Sequence, residues 1–235
     1  MKCQLLSLVA VVLLFLPCVA AVNPAVEKAH NASYHIAQMT LMGGSMCSAT
    51  AIGPHALLTA THCELPTDDL EIMGQTVGGD AIIVGRIRDY VDHTILLIKN
   101  IEFPVWVSVV EKKPSLGDDV FTFGNPGTWT DIFQKGYVAG LQFDTSMEAQ
   151  LTGNAKPPEI LLDFQAYPGT SGSGVFNLDG DLVFVVSSYH EQSDDKVAIA
   201  FASAYPLLFS KDELAKATAF TVAPDPAPAP TPGRK

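Results

Sequence analysis

The sequence is poor in positive charge. It carries 14 Lys and Arg against 25 Asp and Glu, which gives a formal net charge of −11. A protein that binds nucleic acid needs a basic stripe or patch to meet the phosphates, and the chain contains no such run. We therefore expect no nucleic-acid partner, and we attribute the acidity to solubility.

Long apolar runs are also scarce, and the one clear example lies at the start of the chain. Residues 5–16 are almost entirely apolar, follow a lysine at position 2 and lead into Pro-Cys-Val-Ala-Ala. This pattern is typical of a secretory signal peptide, so we predict removal of residues 1–21 by a cut near Ala20 or Ala21. An uncleaved membrane anchor is the alternative, but the apolar segment is shorter than the roughly 20 residues of a spanning helix. The sequence favours a secreted or extracytoplasmic protein without stable membrane association.

The other end of the chain lacks the side chains that build a core. From position 223 onward it alternates Pro with Ala and ends in Thr-Pro-Gly-Arg-Lys. Such a composition favours extended polyproline II and predicts a disordered tail over residues 223–235. Roughly 200 residues remain between the two ends, enough for one large all-β domain or two small barrels.

Cysteine is rare in the predicted mature chain. Of four cysteines, Cys3 and Cys18 lie in the signal peptide, and Cys47 and Cys63 remain. An oxidising destination makes a disulfide the expected state of this pair. It would close a loop of about 15 residues and contribute roughly 3 kcal/mol to the free energy of unfolding. Metal binding is the weaker alternative because no histidine stands at ligand spacing, so we expect no metal.

Helical periodicity is nearly absent. One helix is expected within residues 207–220, where Ser210 precedes an acidic first turn. The rest of the body contains short apolar or alternating runs bounded by Gly or Pro, which favour a barrel or a sandwich, with the best break at 111–117. The predicted strands cover residues 48–52, 56–60, 79–87, 95–98, 120–123, 160–164, 174–176, 182–187 and 197–201.

Three residues stand in an order that has a chemical logic. His62 lies in Leu-Thr-Ala-Thr-His-Cys, Asp92 in Asp-His-Thr-Ile-Leu-Leu and Ser171 in Gly-Thr-Ser-Gly-Ser-Gly. A serine nucleophile needs an adjacent base, histidine titrates near neutrality, and a carboxylate holds the imidazole. The order His, Asp, Ser is that of chymotrypsin-type enzymes rather than of subtilisins or α/β-hydrolases. Asp92 has competitors for the carboxylate role in Asp68, Asp69 and Asp89.

The serine segment also indicates where an oxyanion would bind. The attacked carbonyl becomes an oxyanion, which needs backbone N–H donors already in place. Gly169 lies two residues before Ser171, and a glycine allows the backbone to turn its N–H toward a substrate. We predict that the N–H groups of Gly169 and Ser171 form the oxyanion hole.

These segments resemble those of chymotrypsin-fold serine peptidases. Residues 47–63 are similar to the family's histidine segment, residues 92–97 to its aspartate strand and residues 169–173 to its Gly-Asp-Ser-Gly-Gly. Residues 117–126 and 174–182 resemble the bacterial branch, meaning glutamyl endopeptidases and high-temperature-requirement proteases.

The resemblance implies a fold and an activity. The fold is two antiparallel six-stranded β-barrels, at about 34–110 and 117–206, which together with the C-terminal helix make residues 22–222 one peptidase domain. The activity is that of a serine endopeptidase on protein or peptide substrates, with no cofactor. The spacing of Cys47 and Cys63 is also the one that this family uses for a disulfide.

The sequence departs from the family pattern beside the serine. Trypsin-like zymogens carry an Asp that pairs with a freed N-terminus, whereas this chain has Thr170, so we expect no activation of that kind. Gln165 would lie near the floor of the primary pocket, and its neutrality removes the main reason to expect a preference for Lys or Arg. By the same resemblance, Ser187 or Ser188 is expected to form the pocket wall together with Tyr189 and His190. His190 leaves a preference for acidic side chains open.

Two other functions remain open at this point. The chain could be a catalytically silent binding module on the same fold, or it could be an esterase. A silent module usually lacks a triad residue, and His62, Asp92 and Ser171 are all present, which favours an enzyme. The other histidines have no evident partner, and the sequence predicts that they lie at the surface; they are His30, His35, His55, His93 and His190.

Overall fold

Two closed six-stranded β-barrels make up the fold. The computed structural model describes residues 23–41, 43–127, 129–142, 157–194 and 197–222, with the backbone alone at 189–194 and 197–200, so the predicted signal peptide and tail lie outside it. In chain order the elements are α1 (Pro24–Asn31), β1 (Ser33–Thr40), β2 (Gly43–Gly53), β3 (Ala56–Ala60), β4 (Asp69–Gly74), β5 (Gly79–Arg88), β6 (His93–Ile98), β7 (Asp119–Gly124), β8 (Ile132–Gln142), β9 (Glu159–Leu162), β10 (Gly174–Phe176), β11 (Leu182–Asp194), β12 (Val197–Pro206) and α2 (Lys211–Thr218).

The first barrel has the strand order β1-β2-β3-β6-β5-β4 and closes where β1 pairs with β4. All its pairings are antiparallel. Strand β3 is buried along its whole length because it lies between β2 and β6, and Leu57 and Leu58 are fully enclosed. This strand leads directly into one turn of 3₁₀ helix, Thr61–Cys63, which carries His62.

The second barrel has the order β10-β11-β12-β9-β8-β7, and Val120, Leu162, Val175 and Val183 fill its centre. The two barrels and the C-terminal helix confirm the predicted fold class. The loop between Leu162 and Gly174 carries Ser171, so the two halves each contribute part of the candidate site.

The prediction of a single helix was wrong, because helix α1 precedes the first strand. The side chain of Asn23 accepts a hydrogen bond from the Ala25 N–H at 3.0 Å, and Pro24 opens the first turn. An Asn-Pro pair is a typical start for a helix, but eight residues are too few to show a clear period. In α2, Ser210 and Glu213 form a capping box, as its sequence predicts.

Three strands were not predicted from the sequence, namely β1, β4 and β8. Strand β1 buries polar side chains, which hides it from a search for apolar runs. Gln38, for example, is 4% exposed and binds the carbonyls of Thr67 and Asp69 while accepting the Leu65 N–H. A buried polar group is tolerated when its hydrogen bonds are made, and a single sequence does not show those partners.

The barrel-1 segment that bears His62 is tied by a disulfide. Cys47 in β2 and Cys63 in the 3₁₀ turn are bonded, with their Cα atoms 6.1 Å apart, as predicted. The bond fixes the residue that follows His62 to the barrel wall. None of the helices in the described ranges is long and apolar enough to span a membrane.

Candidate active site

The register of β3 and β6 brings His62 and Asp92 together. Ala60 pairs with His93, so the end of β3 lies beside the start of β6. His62 follows Ala60 by two residues, and Asp92 directly precedes His93. The Thr61 N–H donates to the Asp92 carbonyl at 2.9 Å. The His62 N–H donates to Asp92 Oδ1 at 3.1 Å, and His62 Nδ1 lies 2.8 Å from Asp92 Oδ2. The carboxylate thus holds both the backbone and the ring of His62.

This contact changes the acidity of His62. The hydrogen bond with Asp92 raises the pKa of the imidazole above its ordinary value; partial burial opposes the increase, and the negative charge of Asp92 adds to it. The His62 side chain is 46% exposed and that of Asp92 19%. A base whose pKa is raised above its ordinary value and that remains open to solvent suits proton transfer near physiological pH.

A second His–Asp pair lies next along the chain. His93 Nδ1 is 2.6 Å from Asp89 Oδ2, and both side chains are enclosed. The prediction that the remaining histidines lie at the surface was therefore wrong for His93, which is fully buried, and for His35, which is 8% exposed. Asp89, one of the competitors for the carboxylate role, contacts this buried ring and not His62. Asp68, another competitor, pairs with Arg86.

The segment that carries Ser171 is docked on the first barrel. The Ser48 N–H donates to the Ser171 carbonyl at 2.8 Å, and the Thr59 hydroxyl donates to the Ser48 carbonyl at 2.7 Å. Gly172 has a φ of +85° and lies so close to the Ser48 carbonyl and the Thr59 hydroxyl that a Cβ would clash with both. Because Thr59 belongs to the strand that leads into the turn of His62, the segments that carry Ser171 and His62 share one support.

Hydrogen bonds fix the carbonyl groups of residues 168–171. The Pro168 carbonyl accepts the Gly127 N–H at 2.8 Å, and the Thr170 carbonyl accepts the Ser173 N–H at 3.0 Å. In a trans peptide the N–H points opposite to the carbonyl, so these bonds turn the N–H groups of Gly169 and Ser171 the other way. Among the residues that the structure describes, those two N–H groups donate to no acceptor.

Free, directed N–H groups are what an oxyanion hole requires. Within the described residues, such N–H groups belong to Gly169 and Ser171, which remain the predicted oxyanion-hole residues. Gly169 has a φ of +101°, and a Cβ there would clash with the Asn125 carbonyl. Only glycine fits this position without strain.

Thr170 takes a local role at the position where zymogens carry an Asp. Its hydroxyl donates to the Tyr167 carbonyl at 2.7 Å and accepts the Tyr167 N–H at 3.2 Å. The side chain is buried at 5% exposure. The turn before Ser171 is therefore closed by the hydrogen bonds of Thr170 itself.

The residues predicted to form the substrate pocket differ in how far they are described. Gln165 is exposed; its side-chain carbonyl lies 3.4 Å from the Tyr167 hydroxyl, and its backbone is held by both ends of the Gln134 amide. Ser187 is buried. Ser188 is exposed, and its hydroxyl forms a hydrogen bond with the Ser203 hydroxyl at 2.7 Å. Tyr189 and His190 lie on β11, where the structure describes the backbone alone.

In the described parts of the chain, no group of three or more His, Cys, Asp or Glu side chains could hold a metal ion. The same region shows instead one half-exposed imidazole, its carboxylate and a serine segment with free N–H groups. This set of groups can support nucleophilic acyl transfer.

Comparisons with known proteins agree with this fold. Residues 47–183, more than half of the chain, match the family model of the trypsin-like peptidase domain. Comparison with curated protein sequences finds no match. Among solved structures, a serine endoprotease from Yersinia pestis is 19% identical at a TM-score of 0.59, and covers 78% of this chain and 61% of that one. The HtrA-type protease AlgW with a tripeptide is 22% identical at 0.62, with 81% and 60% covered.

A third structure, the active form of the Rv3671c protease from M. tuberculosis, is 16% identical at a TM-score of 0.63 and covers 86% of this chain and 87% of that one. The chain spans about three fifths of the length of the first two. Two barrels with a His–Asp pair at one end of the first define the chymotrypsin-like class of serine peptidase folds. The chain belongs to the trypsin-like peptidase domain family, which confirms the resemblance drawn from its sequence.

Proposed function

We propose that the protein is a serine endopeptidase that hydrolyses peptide bonds through an acyl-enzyme. The observation that carries this proposal is the 2.8 Å contact between His62 Nδ1 and Asp92 Oδ2. It is supported by the N–H groups of Gly169 and Ser171, which donate to no acceptor among the described residues and lie on a segment that shares its support with His62.

In the proposed reaction, Ser171 Oγ attacks the scissile carbonyl carbon while His62 takes the hydroxyl proton. The N–H groups of Gly169 and Ser171 stabilise the oxyanion of the tetrahedral intermediate. His62 then gives its proton to the leaving amine, which departs and leaves an ester on Ser171. Water, deprotonated by His62, attacks that ester and releases the acid. Asp92 keeps the ring in the tautomer whose Nε2 can accept a proton.

The substrates we propose are proteins or peptides without a strong preference for Lys or Arg. Gln165 is uncharged and exposed at the expected pocket floor, so it offers no counter-ion to a basic side chain. A preference for acidic side chains, supplied by His190, is the alternative. Cleavage profiles on a peptide library decide between these, because a strict Lys or Arg requirement would contradict the first and a strict Glu or Asp requirement would support the second.

We also propose that the enzyme is exported and needs no N-terminal activation. The segment at 1–21 and the Cys47–Cys63 disulfide support an oxidising destination. Thr170 leaves no buried charge for a freed amine to pair with. Adding a few residues before Asn23 should leave turnover unchanged, and an extension that abolished turnover would contradict this part of the proposal.

The test of the proposed function is peptide hydrolysis by a Ser171→Ala variant. We expect the purified protein to cleave casein or a quenched peptide and the variant to lose this activity. Ser108→Ala is the matched control, because Ser108 is exposed and lies outside the site. A Ser171→Ala variant that still cleaved peptides would overturn the proposal, and turnover of esters but not peptides would identify an esterase.

A further inference from the structure

Ser48, a buried residue of the first barrel, contacts the segment that carries Ser171 through its side chain as well as its backbone. It is 1% exposed, and its hydroxyl donates to the Gly169 carbonyl at 2.9 Å. The same oxygen accepts two hydrogen bonds from Asn125, from the backbone N–H at 3.1 Å and from the side-chain amide at 3.0 Å. Asn125 is itself 2% exposed.

These contacts determine where the Ser48 proton lies. A hydroxyl has one proton and two lone pairs, and here both lone pairs face N–H donors of Asn125. The proton is therefore committed to the Gly169 carbonyl. The amide of Asn125 cannot be reversed, because its oxygen accepts the backbone N–H of Asp131 at 3.0 Å. Its nitrogen must then face Ser48.

Among the carbonyls of residues 168–171, that of Gly169 accepts its hydrogen bond from the Ser48 hydroxyl. The carbonyls of Pro168 and Thr170 are held from within the second barrel, and that of Ser171 by the Ser48 backbone. Without the Ser48 hydroxyl, the peptide between Gly169 and Thr170 would lose its bond across the barrels. That peptide lies between the two N–H groups of the oxyanion hole.

We propose that Ser48 and Asn125 are positioning residues that hold the serine segment so that the N–H groups of Gly169 and Ser171 face the substrate carbonyl. Neither residue touches the substrate. This inference rests on the proposed function, since it concerns the oxyanion of the same reaction. It assigns a role to the Gly-Asn-Pro-Gly loop at 124–127, which the catalytic groups alone leave unexplained.

Two substitutions test the pair. Ser48→Ala removes the proton donor. Asn125→Asp keeps the shape but replaces the amide nitrogen with an acceptor, so the Ser48 proton turns toward Asp and leaves Gly169. Ser33→Ala is the matched control for the first, because Ser33 is buried in the same barrel and donates to the Ala29 carbonyl at 2.8 Å. Asn177→Asp, in the β10–β11 turn, is the control for the second, since Asn177 acts there through its oxygen.

We expect both variants to lower kcat by about tenfold to a hundredfold, less than outright removal of an oxyanion-hole donor. KM should stay near that of the wild type. The inhibition constant of a peptide aldehyde, which forms an oxyanion on Ser171, should rise by the same factor as kcat falls. The double variant should be no slower than Ser48→Ala, because both changes act through one carbonyl. Ser48→Thr, which keeps the hydroxyl, should recover part of the loss if it folds.

The inference is overturned if Ser48→Ala retains kcat within twofold of Ser33→Ala, if KM changes instead, or if the two losses multiply. Hydrogen exchange of residues 165–173 gives a readout that does not depend on activity. It should be faster in Ser48→Ala than in Ser33→Ala at equal thermal stability, and equal rates would overturn the inference. A wild type that cleaves nothing would overturn the proposed function, and the exchange rates would still decide whether Ser48 holds the segment.

Discussion

Two His–Asp pairs lie side by side in this fold and differ mainly in burial. His62 and Asp92 are 2.8 Å apart, with side chains 46% and 19% exposed. His93 and Asp89 are 2.6 Å apart, with side chains 0% and 1% exposed. The carboxylates are three residues apart in sequence, yet one pair is open to solvent and the other is enclosed.

The surroundings explain the difference. Asp89 accepts N–H groups from Val91, His93 and Leu208, so it ties the turn before β6 to the segment before α2. Burial alone would raise the pKa of Asp89, but the hydrogen bonds and the charge of His93 bring it below its ordinary value. Asp92 instead binds a ring that remains accessible. A hydrogen-bonded pair becomes a catalytic candidate only where a substrate can reach the ring.

Among the variants that test this comparison, Asp92→Asn should have the largest effect on activity. One oxygen of residue 92 accepts the His62 N–H, so the new amide nitrogen would face Nδ1 and force the tautomer with a protonated Nε2. Such a ring cannot accept the Ser171 proton. We expect kcat to fall by about 10⁴-fold, measured with a peptide substrate.

Asp69→Asn is the control for that variant, because Asp69 is an exposed carboxylate of the same barrel. It should retain wild-type kcat, and both variants should unfold within a few degrees of the wild type. If Asp92→Asn stayed within tenfold of the wild type, the catalytic role of the exposed pair would be wrong.

Asp89→Asn should act on stability rather than on chemistry. An Asn at position 89 would place an amide nitrogen where Asp89 Oδ2 contacts His93 Nδ1 and accepts the Leu208 N–H. Buried donors would lose their acceptor, and we expect a loss of about 3 kcal/mol in the free energy of unfolding. Urea denaturation measures this loss. Turnover per folded molecule should change far less than in Asp92→Asn, and the reverse pattern would contradict the comparison.

The depressed pKa of Asp89 adds a pH dependence with a definite sign. Its contribution to stability is present above the unfolded value of about 4 and is lost as the pH falls through the lower folded value. The difference in stability between the wild type and Asp89→Asn should therefore shrink in acid. A difference that grew with acidity would show that the carboxylate is not stabilised as described.

The pH profile of kcat/KM gives a smaller but specific contrast. Asp92 raises the pKa of His62 above its ordinary value, and a general base acts in its neutral form. The acid limb of the profile should therefore rise with pH and have its midpoint above about 6.5. Asp89→Asn should leave that midpoint in place. A midpoint below 6.5 in the wild type would be inconsistent with the proposed base.

The smallest effect concerns Lys113, which lies beside the enclosed pair and donates to the Leu207 carbonyl at 3.1 Å. Burial lowers its pKa to about 8, and the charge of Asp89 opposes this. Between about 8 and 10.4 the unfolded chain binds more protons than the folded one, so stability should rise with pH over that window. The difference in the free energy of unfolding between the wild type and Lys113→Gln should therefore increase as the pH rises from about 8 to 10. A difference that decreased would contradict the burial of this amine.

The sequence predicted those parts of the fold that depend on local patterns. The apolar strands β3 and β6 and the capped helix α2 could be read directly, and the order of His62, Asp92 and Ser171 indicated the chemistry. Strand β1 could not be read, because Gln38 and His35 are polar and buried among partners far along the chain. The role of Ser48 was also hidden, since its contacts with Gly169 and Asn125 exist only once the barrels meet.

The most direct test of the central claim is covalent labelling with a fluorophosphonate, followed by peptide mapping. We predict phosphonylation of Ser171 in the wild type and in folded Asp89→Asn, and at least a hundredfold slower labelling in Asp92→Asn. This result would assign the nucleophile and its base to the exposed pair. Labelling that is absent from Ser171, or that depends on Asp89 and not on Asp92, would contradict the account.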